Sequence, residues 1–477
     1  VFLRKSFLRA AVYRKRKGQV TVWLALTFLV FLSLYLICLE SVQKQSARRM
    51  AEQVAESSLF SLFSEYEPHL LEQYDLFYLD TSFRSGKENR DELCSHLWKF
   101  TEDNLKRAQG GTALNLQMKG IEVKDFARAT DGDGMVFYQQ AVRAMKEQTG
   151  LSLAEDWIWD EQFREELNES SEKFQKDCQA YEDSVVDYED EEETLDGDAY
   201  SWDGLWKQFA VGQVMKDPDG ISKKTVDLTT VPSVRNLSEE TGAAETAENG
   251  MLEKQLFISY LQEHLTNAVQ KEDEPAKESR YLSYQMEYIL WGKGFDAENL
   301  EQTLRSLLLM REGVNYTFLL THKDYGKKAE LLAIALAGLT GNEGLVKSVK
   351  QLILLGWAYG ESLVEVRQLL QGKEVALLKD ENNWQVPLSG VLLLLQDAGR
   401  YDEQKTEQKG LSYDLFLRMV LTFYPEERLA MGGLDVIEGE LRQTEGCEKI
   451  HVDHCIEKLT AQFWMEDMEL ERSYQYE

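Results

Sequence analysis

The amino-acid sequence predicts an α+β protein that is predominantly α-helical, with a long N-terminal transmembrane and stalk helix, a small antiparallel sheet and an inserted helical bundle. Three observations predict this class. An uncharged apolar run over residues 20–39 is long enough to cross a bilayer. Two segments far apart in the chain, residues 113–123 and 459–465, have the alternating pattern of half-buried strands. Residues 251–455 are densely apolar with helical spacing, and the whole chain has only six prolines.

The composition limits the classes of function. With 43 % hydrophobic residues in 477, much of the chain can bury a core. The formal net charge is −30, and because the first 39 residues carry seven positive charges and no acid, the rest carries −37. Such an acidic surface repels phosphate backbones and is typical of a soluble exterior domain. We therefore expect no nucleic acid among the partners.

Residues 1–19 form a basic leader and residues 20–39 the predicted transmembrane helix. The basic residues lie on one side of the apolar run, so the positive-inside rule predicts a cytoplasmic N-terminus. The sequence at residues 37–41 offers no small-x-small cleavage site, which favours an anchor over a removed signal peptide. The predicted location is the cell membrane, in a single pass, with the C-terminal bulk of the chain extracellular and the lipid bilayer as a partner.

Residues 40–67 continue the helix as a predicted stalk. Met50, Val54 and Leu59 recur at helical spacing among solvating charges, as do later apolar residues up to Tyr66. The span and stalk together form a predicted rod of about 45 residues, on the order of 65 Å long at helical rise. Pro68 is expected to end or kink it.

Residues 68–181 are predicted to form a small α+β part. Residues 74–80 have the character of a strand or buried turn, residues 88–109 of a helix, and residues 113–123 of a strand with an irregularity at Gly120. Residues 133–180 have helical character. Residues 182–250 are acidic and poor in apolar side chains, which predicts a disordered linker.

Residues 251–455 are predicted to form the helical bundle, with short helices separated at glycine-containing junctions. The junctions are at residues 341–344, Gly360 and Gly372, and the apolar runs cover residues 281–291, 300–310, 331–339, 345–357, 363–370 and 411–423. Residues 456–477 are predicted to form C-terminal strands that pack on the N-terminal part and pair with the remote strand at 113–123 beside the stalk.

One cluster has ligand types suited to zinc: Cys447, His451, His454 and Cys455. In a helix, positions 447, 451 and 454/455 share a face and present sulfur and nitrogen ligands. An ordinary helix end or a local disulfide is the favoured alternative, because no second ligand pair lies nearby, so we predict no metal and no cofactor. Four cysteines beyond the span allow three pairings that the sequence leaves open, and these are Cys94, Cys178, Cys447 and Cys455.

Catalytic templates find no match in this chain. It has no G-x-S-x-G and no H-E-x-x-H motif, and it contains only six histidines. Pairs of acids are uninformative, because 83 acidic residues guarantee chance pairs. We therefore predict no catalytic residue and a non-enzymatic protein.

Four short sequence segments resemble known protein families. Residues 18–26 and 51–59 resemble the TadE/TadG-like proteins of the tight-adherence (Flp) pilus system. They resemble more closely an uncharacterised Clostridia-type family of membrane-anchored proteins, and residues 287–293 and 355–362 resemble that family too. The resemblance implies a pilin-like head on the N-terminal helix and possible processing after Gly18. The glutamate that such helices carry at the fifth mature position is replaced by Trp23.

The function expected from these features is structural. We expect a single-pass cell-surface protein that serves as a structural or assembly component of a Tad-like pilus or secretion system, with pilus or pseudopilin proteins as partners through the N-terminal helix. The alternative is a membrane-tethered extracellular enzyme or solute-binding protein acting at the cell wall, which would require a deep pocket with converging acids or aromatic residues.

Overall fold

The protein is predominantly helical, with one long apolar N-terminal helix and a small antiparallel sheet of four strands, which confirms the predicted fold class. A computed structural model describes residues 2–110, 116–158, 221–235, 237, 250–269, 280–338, 342–391 and 410–476, with side chains described except at 2–19 and 149–158.

The chain divides into two compact units. The first, here called the stalk unit, comprises Val1–Tyr66, Glu88–Phe126 and Ile456–Glu477. The second, the bundle unit, comprises Glu67–Lys87 and Ala127–Cys455. This division differs from the predicted α+β part at 68–181. The chain from Ala127 onward belongs to the bundle unit, where the Phe137 ring packs on the Phe257 ring.

Helix α1, Phe2–Phe63, runs without a break through the apolar span and into the predicted stalk. Its side chains are exposed over the span, and from Ala51 onward one face becomes buried. The buried residues recur at steps of one, three and four, which is the stripe expected of an amphipathic helix; they are Ala51, Val54, Ala55, Ser58, Leu59, Leu62 and Phe63. The helix ends before Pro68, which instead opens α2, Pro68–Tyr74, with Glu67 as its N-cap.

In the stalk unit α3, Arg90–Gln109, and β4, Met468–Gln475, pack on α1. The other strands are β2, Met118–Arg128, and β3, Cys455–Met465. Strand β3 pairs with β2, which confirms the predicted pairing of remote strands, although β2 begins five residues after the start of the predicted strand at 113–123. Strand β3 also pairs antiparallel with β4. Strand β2 is continuous through Gly120, where an irregularity was predicted. A Cβ on Gly120 would lie 3.0 Å from the Trp464 ring, so the ring explains the glycine.

Strand β4 closes the stalk unit against the end of α1. The rings of Phe63 and Tyr476 lie 5.0 Å apart, and the Tyr476 hydroxyl donates a hydrogen bond to the carbonyl of Phe63. Arg472 forms ion pairs with Glu52 and Glu56 on the exposed side of the helix. The last strand therefore covers apolar surface that the stalk exposes on its own.

The bundle unit is built from helices around two apolar clusters. Phe137 and Phe257 stack edge to face at 5.5 Å, which fixes α4 against α5. The unit also holds the two-residue strand β1, Leu79–Asp80, and the 3₁₀ turn Val452–His454. Its helices after α2 are α4 (Asp131–Ile158), α5 (Met251–His264), α6 (Gln285–Trp291), α7 (Asp296–Thr321), α8 (Lys323–Ala337), α9 (Glu343–Leu370), α10 (Tyr413–Thr422) and α11 (Glu426–Leu441).

The structure contradicts one prediction about this unit, and it contradicts a second over residues 221–235. The predicted junction at Gly360 lies inside α9, where the glycine is helical and buried and the helix packs on α7. Part of the predicted linker is packed, since Val226 and Val231 are buried and Val226 N–H donates to the carbonyl of Gly294. The rest of residues 182–250, apart from 237 and 250, lies outside the described residues.

Candidate functional site

A cavity of about 400 Å³ opens in the bundle unit between α6, α11 and the segment 221–235. Its wall is apolar, and three carboxylates and one guanidinium line it. The lining residues are Asp133, Leu228, Ser233, Val234, Tyr288, Ile289, Gly292, Glu427, Arg428, Met431, Gly432 and Asp435. The volume falls within the range of small-molecule sites.

The carboxylate of Asp435 is the buried polar group of this cavity, with 4 % of the residue exposed. Its Oδ1 accepts a hydrogen bond from the Ser233 backbone N–H at 2.8 Å. Its Oδ2 accepts bonds from the Ser233 hydroxyl at 2.6 Å and the Tyr288 hydroxyl at 3.0 Å. Three donors therefore hold the carboxylate in one orientation, and two of them belong to Ser233, which lies 202 residues away along the chain.

Helix α11 places further charged groups along the same side. Glu438, one turn after Asp435, accepts two bonds of 2.7 Å from the Arg235 guanidinium, and Arg442 pairs with it as well. Arg235 also reaches Asp453. These ion pairs clamp the segment 221–235 onto α11 and fix the position of Ser233 beside Asp435.

Burial raises the pKa of Asp435 from 3.8 to about 6, and nearby Glu438 adds to the rise. The bonds from Ser233 and Tyr288 favour the charged form and offset only part of the cost of removing the carboxylate from water. The group therefore ionises in the folded protein at a higher pH than in the unfolded chain.

Replacing Asp435 with Asn is expected to remove one pH dependence of stability. Because the pKa of Asp435 is raised on folding, its contribution to stability is fully present below about pH 4 and is lost as pH rises to and beyond about 6, a loss on the order of 3 kcal/mol. Urea unfolding of both proteins at pH 4, 5, 6 and 7 measures the difference. Identical pH profiles for Asp435→Asn and the wild type would contradict the assignment, and Asp324→Asn, 80 % exposed, is the control.

A second charged cluster is fully buried between α7 and α9. The Arg311 guanidinium donates to both oxygens of Glu365 at 2.8 and 2.9 Å and to the carbonyls of Ala376 and Leu377. Lys379 Nζ lies 2.6 Å from carboxylate oxygens of both Glu361 and Glu365. Two cations thus balance two anions in a region without access to water.

This cluster fastens the chain that follows α9 back onto the helix. Glu361 accepts the backbone N–H groups of Gln385 and Val386 at 2.9 and 2.7 Å. Burial raises the pKa of Glu361 in spite of Lys379. Burial alone would do the same for Glu365, but Arg311 and Lys379 outweigh it and hold the pKa of Glu365 below its usual range. No solvent-accessible face is left for a ligand, so the cluster is structural.

The four candidate zinc ligands, Cys447, His451, His454 and Cys455, are not assembled as one site. Among the described residues, Cys447 groups with Glu67 and His69, whereas His451 groups with Glu438 and Asp453. The four residues span turns, a 3₁₀ turn and the start of β3 instead of the helix that the prediction assumed. His451 and His454 remain neighbours, with ring centroids 5.1 Å apart, and the Cys455 thiol donates to the His451 carbonyl.

The chemistry of both ligand groups disfavours a metal. Arg84 donates to both oxygens of Glu67 at 3.1 to 3.2 Å, and Arg442 Nη2 lies 2.8 Å from His451 Nδ1. Burial raises the pKa of the Cys447 thiol to about 11, and nearby Glu67 adds to the rise, so the thiolate that zinc requires is disfavoured. Arginines already supply the positive charge that a cation would bring.

The remaining predicted residues lie in both units. Cys94, Cys447 and Cys455 have free thiols, and Cys178 lies outside the described residues. Gly18 belongs to α1. In the described part of the chain, one helical stretch, Val20–Phe63, is long and apolar enough to cross a membrane, a test that an N-terminal signal sequence also passes.

Sequence reasoning missed Asp435, Glu438 and Ser233. A signal for the two acids is present, because they interrupt the apolar run Leu434, Val436, Ile437 and Leu441 at positions that a helix buries. Nothing in the sequence around Ser233 indicates its role, because its partner Asp435 lies on helix α11.

Comparison with known proteins gives one match. No curated protein and no solved structure matches the chain. A family model described as a family of unknown function (DUF5702) matches residues 188–467, more than half of the sequence. The matched range includes the segments 287–293 and 355–362 and does not include the segments 18–26 and 51–59. The chain therefore belongs to the DUF5702 family of unknown function.

Proposed function

We propose that this protein is a single-pass cell-surface protein that serves as a structural or assembly component of a Tad-like pilus or secretion system. In this proposal residues 20–39 anchor the chain in the bilayer, the basic leader stays in the cytoplasm and the two compact units lie outside. Pilus or pseudopilin proteins are the partners, through the N-terminal helix.

The observation that carries the proposal is that one continuous helix, α1, has an exposed apolar first segment and a packed second segment. The apolar span exposes its side chains on all sides, with Trp23 67 % and Phe31 72 % exposed. The same unbroken helix buries one face from Ala51 to Phe63 against the rest of its unit. A removable signal peptide has no reason to continue as a packed structural helix, whereas an anchor or a pilin-like helix does.

The architecture of the stalk unit supports the pilin-like interpretation. The end of a long N-terminal helix lies against strand β4, which pairs antiparallel with β3, and the exposed side chains of residues 20–39 can pack on lipid or on other helices. Trp23 in place of the usual acid favours a role in assembly or anchoring over a role as the major fibre subunit. Processing after Gly18 belongs to the same proposal.

Photo-cross-linking in intact cells tests the proposed association. With a photoreactive residue at Phe31, we expect cross-links to small proteins that have pilin-like N-terminal helices, because this position faces outward from the span. The matched control is Phe423, 60 % exposed in the bundle unit, which should not capture them. Cross-links from Phe31 to lipid alone would contradict assembly and leave anchoring intact. In the same cells Gly18→Val should increase the apparent mass, and unchanged mobility would refute processing alone.

A further inference from the structure

We propose that the cavity beside Asp435 is a binding site for a small organic ammonium ion that carries an apolar group. The site lies wholly in the bundle unit and uses none of the residues that anchor or pack α1. The inference therefore goes beyond the structural role proposed above and does not depend on it.

The charge of the lining selects a cation. Asp435 lies buried, and Asp133 and Glu427 add two exposed carboxylates to the same cavity. Neither exposed carboxylate forms an ion pair with a described residue. The guanidinium of Arg428 is already engaged, because it donates to the Leu290 carbonyl and lies 4.4 Å from the centre of the Tyr424 ring. Three carboxylates face one guanidinium, so the ionised lining has a net charge of −2 and the field in the cavity is negative.

The hydrogen bonds of Asp435 leave room for one more donor. A carboxylate offers about four acceptor positions, and three are taken by Ser233 and Tyr288. The three donors that Asp435 has in the structure are all neutral. An ammonium N–H at the fourth position would give this buried negative charge a positive partner. Such pairing removes the cost of an uncompensated buried charge, and it would therefore favour binding.

The remaining wall selects an organic cation over a metal ion. Leu228, Val234, Ile289 and Met431 offer apolar surface to a hydrocarbon group. Gly292, with φ +62°, leaves open space where a side chain would otherwise stand. A hard metal ion needs several oxygen ligands, and among the described residues Asp435 belongs to no group of three potential ligand atoms within 4.8 Å.

Calorimetric titration of the purified full-length protein in detergent, with empty micelles as the blank, tests the site. The probes are benzylammonium, benzyl alcohol and benzoate, which share a ring and differ in charge. We expect benzylammonium to bind at least tenfold more tightly than the other two. Equal binding of all three probes, or no binding of benzylammonium, would overturn the proposal.

Variants locate the binding. Asp435→Asn keeps the shape of the side chain and should weaken benzylammonium binding at least tenfold, whereas Asp324→Asn, on the exposed side of α8, should leave it unchanged. Val234→Trp fills the cavity from a position that is 62 % exposed, so it should abolish binding without disturbing the core. If Asp435→Asn does not fold, Val234→Trp decides alone, and unchanged affinity in that variant refutes the site.

Discussion

Replacing Arg311 with Met is expected to lower the free energy of unfolding by about 3–5 kcal/mol. The substitution keeps the length of the side chain and removes its charge, so one of the carboxylates Glu361 and Glu365 is left without a compensating cation. The carbonyls of Ala376 and Leu377 lose the hydrogen bonds that Arg311 donates in the same step. Chemical denaturation followed by circular dichroism measures the loss.

A second variant separates the loss of charge balance from the loss of packing. Arg311→Met combined with Glu365→Leu removes one cation and one anion together, and should recover most of the stability, because Lys379 and Glu361 still pair. Arg305→Met, which removes an exposed pair with Glu301, should cost less than about 0.5 kcal/mol. A cost near that value for Arg311→Met would show that the cluster contributes little.

Placing arginine at both Leu26 and Leu29 is expected to release the protein from the membrane. Each charge at the centre of a spanning helix costs about 2.5–3.5 kcal/mol, and both positions are more than half exposed on α1, so no neighbouring side chain of the described protein shields them. Fractionation with alkaline extraction should move the chain from the membrane pellet to the soluble fraction.

The control for this prediction is Leu26→Ile with Leu29→Ile, which preserves the apolar character and should stay in the pellet. Protease added to intact cells should degrade the bundle unit of the wild type and spare a cytoplasmic marker. An intact bundle unit under these conditions would contradict the proposed topology. Retention of the double arginine variant in the pellet would show that residues 20–39 are not what holds the chain there.

The local parts of the fold could be predicted from the sequence. An apolar run followed by apolar residues at helical spacing can be recognised from neighbouring residues alone. Helix α1 could therefore be predicted as far as Leu62 and Phe63. The same is true of α3, whose predicted start at residue 88 differs from the observed Arg90 by two positions. The alternating strands could be recognised, and their pairing followed because few other strands were available to them.

The cavity could not be predicted, because its parts come together only through contacts distant in sequence. Ser233 lies in a stretch with too few apolar residues to indicate packing, yet Val226 and Val231 each fill a gap in the core. The buried acids of α11 look like solvating charges until Ser233 and Arg235 are placed beside them. The prediction of a junction at Gly360 failed for a related reason, since a single glycine lowers helix propensity by only about 1 kcal/mol and the packing of the long helix α9 outweighs it.

The hydrogen bond between Tyr476 and Phe63 can form only after nearly the whole chain has been synthesised. The two residues are 413 positions apart, and at about 5–20 residues per second the ribosome needs roughly 20 to 80 s to make the second after the first. During that interval the apolar stripe of α1 has no strand to cover it, while the bundle unit, whose described helices all precede the last strands, can fold. A chain that stops short of β4 would keep a folded bundle unit and a stalk covered by α3 alone, and the apolar surface left exposed is of the kind that chaperones and proteases recognise.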